Sequence, residues 1–259
     1  MKKRIFGLIL VVCMLVSMVG CNKSDKKKSE KVELTILAAA SLKDVTAKIK
    51  ANYEKEHENV TLTFSYGASG TLMNQIKEGA PCDVFMSAAK KQMNTLIEEG
   101  LVNKDDSKEL LENKVVLIVP KGEKKISSFE DVKTKAGKIA LGEESSVPVG
   151  QYAAEIFKNL NMYDEVKAKA VYGNDVKAVL SYVESGNVDC GVVYSTDALV
   201  SDKVEVVCSA TKDMVSPVIY PVAVTKDSKH AKEAKEFMDY LSGDKASKYF
   251  EEYGFSMVK

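Results

Sequence analysis

Five short segments place a small residue or a hydroxyl group where a predicted strand gives way to a predicted helix. They are Ala38–Ser41, Gly67–Thr71, Pro148–Gly150, Asn174–Val176 and the end of a strand at Tyr194. A helix N-terminus carries unpaired N–H groups and a partial positive charge. Small residues let a ligand come close to such a backbone. The pattern therefore predicts a site for a small anion, held by hydroxyl and amide donors.

Simpler interpretations exist for the same segments. A serine that begins a helix commonly caps it, and Ser41 with Asp44 fits a capping box. Gly67–Thr71 nearly matches the G-x-S-x-G motif of serine hydrolases but lacks its final glycine. A nucleophilic serine also needs a base, and His57 and His230 both lie in strongly charged segments. We therefore favour anion binding over a serine hydrolase, and expect no catalytic residue.

Short apolar strands alternate with helical patterns along most of the chain. Strands are predicted at Val32–Ala38, Val60–Ser65, Asp83–Ser87, Lys114–Val119, Lys138–Leu141, Cys190–Tyr194, Val204–Val207 and Ile219–Val224. Helices are predicted at Leu42–Lys55, Gly70–Glu78, Lys90–Glu99, Phe129–Lys135 (capped by Ser127 with Glu130), Val149–Leu160, Asp175–Glu184, Lys229–Leu241 and Lys245–Glu252. This rhythm predicts an α/β protein with parallel sheets covered by helices. Ligands of such folds bind at the carboxyl ends of the strands, and the length favours two lobes over one core.

The N-terminal segment has the features of an export signal. A basic start is followed by the 15 apolar residues Ile5–Val19, which is short for a membrane-spanning helix. Residues 18–21 resemble the lipobox of bacterial lipoproteins, so we expect 1–21 to be a signal peptide and Cys21 to carry lipid. An ordinary signal peptide or a short anchor helix is the alternative. Residues 22–31 are polar and highly charged, which predicts a disordered tether.

Charge and cysteine content exclude several function classes. Residues 32–259 carry 29 basic and 35 acidic residues, a net charge of −6, and no arginine. Such a body is a poor candidate for binding nucleic acid or for bidentate capture of phosphate by arginine. Cys82, Cys190 and Cys208 lack metal-ligand spacing, so we expect buried thiols, with a Cys190–Cys208 disulfide as the alternative.

Six segments, in order, resemble the bacterial periplasmic molybdate-binding protein family. They are AAASLKDV, GASGTLMNQIKEGAPCDVFMSA, VPVGQYA, NDVKAVLSYVESGNVDCGVVYSTDA, YPVAV and YFEEYGF, spread between Ala38 and Phe255. The resemblance implies a two-lobed type II periplasmic-binding-protein fold, each lobe a mostly parallel sheet flanked by helices. It places lobe I at 32–113 plus 219–259 and lobe II at 114–218.

The family's oxyanion contacts carry over onto five positions of this sequence. Ser41 and Ser69 would supply hydroxyl groups, Val149 and Val176 backbone amides, and Tyr194 a phenolic donor. Val149 stands where most members have alanine, and the amide survives that change. The implied ligand is molybdate or tungstate, with sulfate as the alternative, and the only molybdenum is that of the bound ion.

The resemblance also implies the setting in which the protein works. The implied partner is an ABC transporter permease with its ATPase, reached by a monomer that is lipid-anchored outside the cytoplasm. No cofactor, structural metal or nucleic acid is expected.

Overall fold

Two mixed β-sheets, each covered by helices, make up residues 31–258, the part of the chain described by this computed structural model. The predicted signal peptide with Cys21, and all of the predicted tether except Lys31, lie outside the described residues. None of the helices in residues 31–258 is long and apolar enough to cross a membrane.

The first sheet has six strands in the order β11-β4-β10-β3-β1-β2. Its strands are β1 (Val32–Ala39), β2 (Val60–Gly67), β3 (Val84–Met86), β4 (Val102–Asn113), β10 (Val218–Thr225) and β11 (Ser256–Met257). Strand β1 runs parallel to β2 and β3, whereas β10 is antiparallel to β3 and β4. The helices of this first lobe are α1 (Lys43–Glu56), α2 (Ser69–Lys77), α3 (Lys90–Glu98), α9 (Ala231–Leu241) and α10 (Asp244–Glu252).

The second sheet has five strands in the order β7-β6-β8-β5-β9. Its strands are β5 (Val115–Pro120), β6 (Ile139–Gly142), β7 (Ala170–Gly173), β8 (Cys190–Tyr194) and β9 (Val204–Ser209). Strand β6 runs parallel to β7 and β8, and β5 runs antiparallel to β8 and β9. The helices of this second lobe are α4 (Asp131–Lys135), α5 (Pro148–Asn159), α6 (Tyr163–Lys167), α7 (Val176–Glu184) and α8 (Ser195–Leu199).

The central strands are buried on both faces, which explains their almost continuous apolar sequences. In β5, only Pro120 is more than slightly exposed, and all eight residues of β10 are buried. The edge strand β2 instead alternates buried and exposed residues over its first half. Helices therefore cover both faces of the central strands, as sheets in α/β proteins require.

The chain passes between the two sheets twice. Strand β4 ends at Asn113 and β5 begins at Val115, while the segment between β9 and β10 returns the chain to the first sheet. The two-lobed α/β fold is confirmed. The limits proposed for each lobe, 32–113 with 219–259 and 114–218, stay a prediction.

The sheets are mixed rather than mostly parallel because the first strand after each crossing enters its sheet reversed. Strand β10 enters between β3 and β4 and is antiparallel to both, and β5 does the same between β8 and β9. Strand β4 was missed by the sequence pattern. Its segment VNKDDSKELLEN is largely exposed and rich in charge, so it has little of the apolar alternation that marks a strand.

One smaller expectation is wrong, and one alternative is excluded. Helix α4 is not capped by Ser127 with Glu130, because the Asp131 carboxylate accepts hydrogen bonds from the Ser127 backbone N–H and hydroxyl at 2.8 and 2.7 Å. Cys82, Cys190 and Cys208 are free thiols as expected, so the alternative of a Cys190–Cys208 disulfide is wrong. Only Cys190 is buried, whereas Cys82 and Cys208 are partly exposed.

Candidate anion-binding site

A small cavity lies where the carboxyl ends of strands from both sheets meet. It is lined by Ala39, Ala40, Ser41, Gly67, Ala68, Ser69, Ala88, Val147, Pro148, Val149, Asp175, Val176 and Tyr194. All five residues that the sequence placed at an oxyanion site therefore line one cavity. Two of them come from the first lobe and three from the second.

Helix N-termini from both lobes point their first-turn amides toward this cavity. Helices α2 and α5 begin there without any side-chain cap. The backbone N–H groups of Ser41, Ser69, Val149 and Val176 have no hydrogen-bond partner within residues 31–258. Such unpaired amides at a helix start suit an anion.

Ser41 is not a helix cap, which corrects the predicted capping box with Asp44. It sits in a 3₁₀ turn, Ala40–Leu42, between β1 and α1, and no side chain caps either helical segment. Its hydroxyl oxygen instead lies 2.9 Å from the hydroxyl oxygen of Tyr220. Ser41 is thus held by a tertiary hydrogen bond, not by the local backbone.

Ser69 is fully buried at the start of α2. Its hydroxyl oxygen accepts a hydrogen bond from the backbone N–H of Ala88 at 2.9 Å. Because a hydroxyl group has one hydrogen of its own, Ser69 remains able to donate that hydrogen into the cavity.

Tyr194 ends strand β8 with a hydroxyl group that is buried and has no hydrogen-bond partner in the described part of the chain. Burial raises the pKa of Tyr194 well above 10, so the phenol stays protonated. A buried donor without a partner costs roughly 1–3 kcal/mol, and a ligand oxygen in the cavity would relieve that cost.

The cavity is small, with room for about one water-sized molecule. It offers about 10 Å³ to the centre of a water-sized sphere, against about 410 Å³ for an open groove beside His230. A volume of 10–15 Å³ measured in this way is roughly what one water molecule needs. No lysine lines the cavity, and its one acidic residue, Asp175, accepts the Ala178 N–H at 2.8 Å as the cap of α7.

The two lobes also touch directly around the cavity. The Gly70 N–H donates to the Ser146 carbonyl oxygen at 2.9 Å, and a β-carbon added to Gly70 would lie 2.6 Å from that oxygen. Lys177 on α7 pairs with Asp44 on α1 at 2.7 Å. In this structure, therefore, backbone meets backbone beside the cavity.

Comparison with known proteins decides the family. Residues 34–256 match the model of a family described as bacterial extracellular solute-binding proteins. The chain belongs to this family. This solute-binding protein has the two-lobed type II fold expected of it.

Individual relatives give more detail about their own ligands. The chain is 49% identical to a Bacillus subtilis protein named as a candidate ABC transporter substrate-binding lipoprotein, over 98% of each chain. It is 37% identical to the molybdate-binding protein ModA of Haemophilus influenzae, covering 86% of this chain and 90% of that one. A solved substrate-binding domain of a candidate molybdenum ABC transporter from Clostridium difficile is 47% identical with a TM-score of 0.69, covering 88% and 100%.

An ion pair beside the cavity was not expected from the sequence of this solute-binding protein. Lys177 lies 3.1 Å from Asp197 as well as 2.7 Å from Asp44. Burial lowers the pKa of Lys177, but the two carboxylates outweigh burial and the pKa is raised. Lys177 is therefore charged but fully engaged, and no sequence spacing relates these three positions.

The histidines considered for a hydrolase lie elsewhere. His57 stacks on the ring of Tyr53 with ring centroids 4.1 Å apart, and His230 precedes α9 beside the open groove. Neither is among the residues that line the cavity around Ser69.

Asp197 gives a test of this electrostatic arrangement through pH. Both carboxylate oxygens are buried without a well-aligned hydrogen bond, and burial raises the pKa of Asp197 from 3.8 to about 6. The protonated form is thus favoured in the folded protein, and the resulting stability is lost as the pH rises through about 6. As the pH rises from about 4 to about 7, the natural protein loses this stability but an Asp197→Asn variant does not. The stability of the variant relative to the natural protein should therefore rise by roughly 1–3 kcal/mol over this range, since one pKa unit corresponds to about 1.4 kcal/mol. Urea unfolding at several pH values measures it.

The matched control is Asp105→Asn at an exposed position in β4. Its stability relative to the natural protein should stay the same over this pH range. An Asp197→Asn difference that does not change with pH would show that Lys177 fully compensates the buried carboxylate.

Proposed function

We propose that this solute-binding protein captures molybdate or tungstate between its two lobes and delivers it to an ABC importer. The observation that carries the proposal is the unpartnered, buried hydroxyl of Tyr194, beside a small cavity that is also lined by the Ser41 and Ser69 hydroxyl groups and by helix N-terminal amides. In this proposal Ser41 and Ser69 donate hydroxyl hydrogens, and the amides of Val149 and Val176 complete the shell with Tyr194.

The chemistry of the ligand follows from the donors. A fully deprotonated tetrahedral oxyanion has only acceptor oxygens, so a shell made of donors satisfies all of them. A protonated phosphate would leave its own O–H without an acceptor, and an unmade buried hydrogen bond is costly. The negative charge of the whole body matters little, because charges beyond roughly 8 Å are screened at physiological salt. Dipoles of amides and hydroxyls act at contact distance.

The relatives support the same ligand class. ModA of Haemophilus influenzae is named a molybdate-binding protein, and the Clostridium difficile domain is assigned to a molybdenum transporter. We infer an ABC permease with its ATPase as partner, a monomeric binding protein, and a lipid anchor at Cys21. The Bacillus subtilis relative's name, a substrate-binding lipoprotein, supports the anchor.

Titration calorimetry of the purified protein tests the ligand. Molybdate and tungstate should bind, and phosphate should bind far more weakly because it carries a proton. Sulfate carries no proton, so weaker binding of sulfate would have to come from its smaller size. Ser41→Ala and Ser69→Ala should each weaken molybdate binding by about 10- to 100-fold, because a hydrogen bond to a charged group is worth roughly 1.5–3 kcal/mol.

Ser107→Ala is the matched control, since its exposed hydroxyl bonds only the Lys104 carbonyl oxygen outside the cavity. If sulfate binds as tightly as molybdate, the protein is a general oxyanion binder. If the cavity serines can be removed without loss of affinity, the proposed contacts are wrong.

Lobe closure can be tested at Gly70. Closure should follow from the ligand's preference for the form in which both lobes contact it. Gly70→Ala would place a β-carbon 2.6 Å from the Ser146 carbonyl oxygen in the closed form. The variant should bind molybdate more weakly and show a smaller molybdate-induced decrease in radius of gyration by solution scattering. Its ligand-free stability should not fall, because alanine favours a helix over glycine by about 1 kcal/mol.

Gly243→Ala, before α10, is the control, since its added β-carbon would meet only backbone oxygens of Tyr240 and Asp239 at 3.3 and 3.8 Å. Equal affinity and equal compaction of the Gly70→Ala protein would contradict closure through this contact.

The anchor is tested in cells by Cys21→Ser. After cleavage of the signal peptide, a lipid on Cys21 would be what holds the protein at the membrane. The variant should therefore be released from the membrane fraction. Fractionation and immunoblotting of variant and natural protein measure this. A Cys21→Ser protein that stays membrane-bound at full length would identify residues 5–19 as an uncleaved anchor.

A further inference from the structure

A buried row of hydrogen bonds links the cavity to the first crossing between the lobes. The Tyr220 hydroxyl oxygen lies 2.9 Å from the Ser41 hydroxyl oxygen and 3.3 Å from the Asn113 side-chain nitrogen Nδ2. Tyr220 is 1% exposed and Ser41 5% exposed. Asn113 is the last residue of β4, immediately before the chain enters the second lobe.

The orientation of the Asn113 amide is set by its neighbours. Its oxygen Oδ1 lies 2.8 Å from the Lys114 backbone nitrogen and 3.0 Å from the Ser195 hydroxyl oxygen. A backbone N–H can only donate, so the atom facing Lys114 must be the oxygen. The nitrogen Nδ2 therefore faces Tyr220 and the Thr196 hydroxyl oxygen, which lies 2.9 Å away.

This orientation limits which way the hydrogens in the row can point. An amide NH₂ group can only donate, so the Tyr220 oxygen accepts from Asn113. The single hydrogen of Tyr220 then has two hydroxyl neighbours, Ser41 and Tyr194, whose ring centroid lies 5.6 Å from that of Tyr220. The Ser41 oxygen, 2.9 Å away, is the better-placed acceptor, because the Tyr194 hydroxyl forms no well-aligned hydrogen bond among residues 31–258. Burial raises the pKa of Tyr220 well above 10, which keeps that hydrogen in place. The hydrogen of Ser41 is consequently left for the cavity.

The Ser69 hydroxyl is also oriented as a donor, through a different neighbour. Its oxygen accepts from the Ala88 backbone N–H, another group that can only donate. Both cavity serines thus have an acceptor position filled by a neighbouring donor and a hydrogen left over. Neighbouring residues, which lie behind the two serines, thus orient both hydroxyl groups to donate hydrogen bonds into the cavity.

We propose that Tyr220 and Asn113 are positioning residues that fix the Ser41 hydroxyl as a donor, and thereby make the site prefer fully deprotonated oxyanions over protonated ones. The proposal rests on the proposed function, because it needs an oxyanion in the cavity. It predicts that selectivity against phosphate depends on two side chains that do not themselves line the cavity.

The test compares two dianions at a slightly alkaline pH: molybdate, which carries no proton, and hydrogen phosphate, which carries one. In Tyr220→Phe the Ser41 oxygen loses its donor and becomes free to accept the phosphate proton. Molybdate affinity should fall roughly tenfold, as expected for one hydrogen bond to a charged group. Phosphate affinity should fall less or rise, so that the ratio of the two affinities decreases. Calorimetry with both ions gives that ratio.

A double-mutant cycle separates positioning from general damage to the structure. If Tyr220 acts through Ser41, adding Tyr220→Phe to Ser41→Ala should change molybdate affinity less than twofold. Tyr53→Phe is the matched control, because it removes a hydroxyl that is also buried in the first lobe but has no hydrogen-bond partner among residues 31–258. Its ratio of affinities should equal that of the natural protein.

Asn113→Leu provides a second route should Tyr220→Phe fold poorly, as judged by its ligand-free melting temperature. It removes the Nδ2 donor and should lower the same ratio. Natural protein that does not bind molybdate would overturn the proposed function. Natural protein that binds molybdate, with an unchanged ratio in Tyr220→Phe and Asn113→Leu or with additive losses in the cycle, would overturn this inference alone.

Discussion

The arrangement of this protein depends on one constraint, that an ion with only acceptor atoms must be met by groups that donate. The cavity meets it without a cationic side chain. In the proposed site, amides at the starts of α2, α5 and α7 and three hydroxyl groups are the donors, and the nearby Lys177 is occupied by Asp44 and Asp197. Much of the surrounding chemistry follows from keeping hydrogens aimed at the cavity.

The division into two lobes serves the same constraint. In the proposed site each lobe offers an incomplete set of donors, Ser41 and Ser69 from one and Val149, Val176 and Tyr194 from the other. The sets become one shell when the lobes meet along the backbone contact at Gly70. Residues that lack side-chain bulk are needed at that meeting, which gives the small-residue segments of the sequence a physical reason.

Sequence reasoning reached the fold class and brought five residues to one cavity because those features depend on local patterns. Strand-to-helix turns, small residues and a first-turn proline are visible within a few positions. The role of Tyr220 behind Ser41 was not visible, since 179 positions separate the two hydroxyls that meet. The Lys177 ion pairs could not be predicted because they join residues that are far apart in the sequence. Strand β4 could not be predicted because its residues are mostly charged and exposed.

The backbone contact between Gly70 and Ser146 also bears on how long a bound ion stays. An ion held by donors from both lobes loses one complete set whenever that contact opens, and the cavity has no fixed positive charge to retain the ion meanwhile. Residence time is then set by the frequency of opening rather than by the strength of any one bond. A membrane partner that pulls the lobes apart would discharge the ion without having to compete for it.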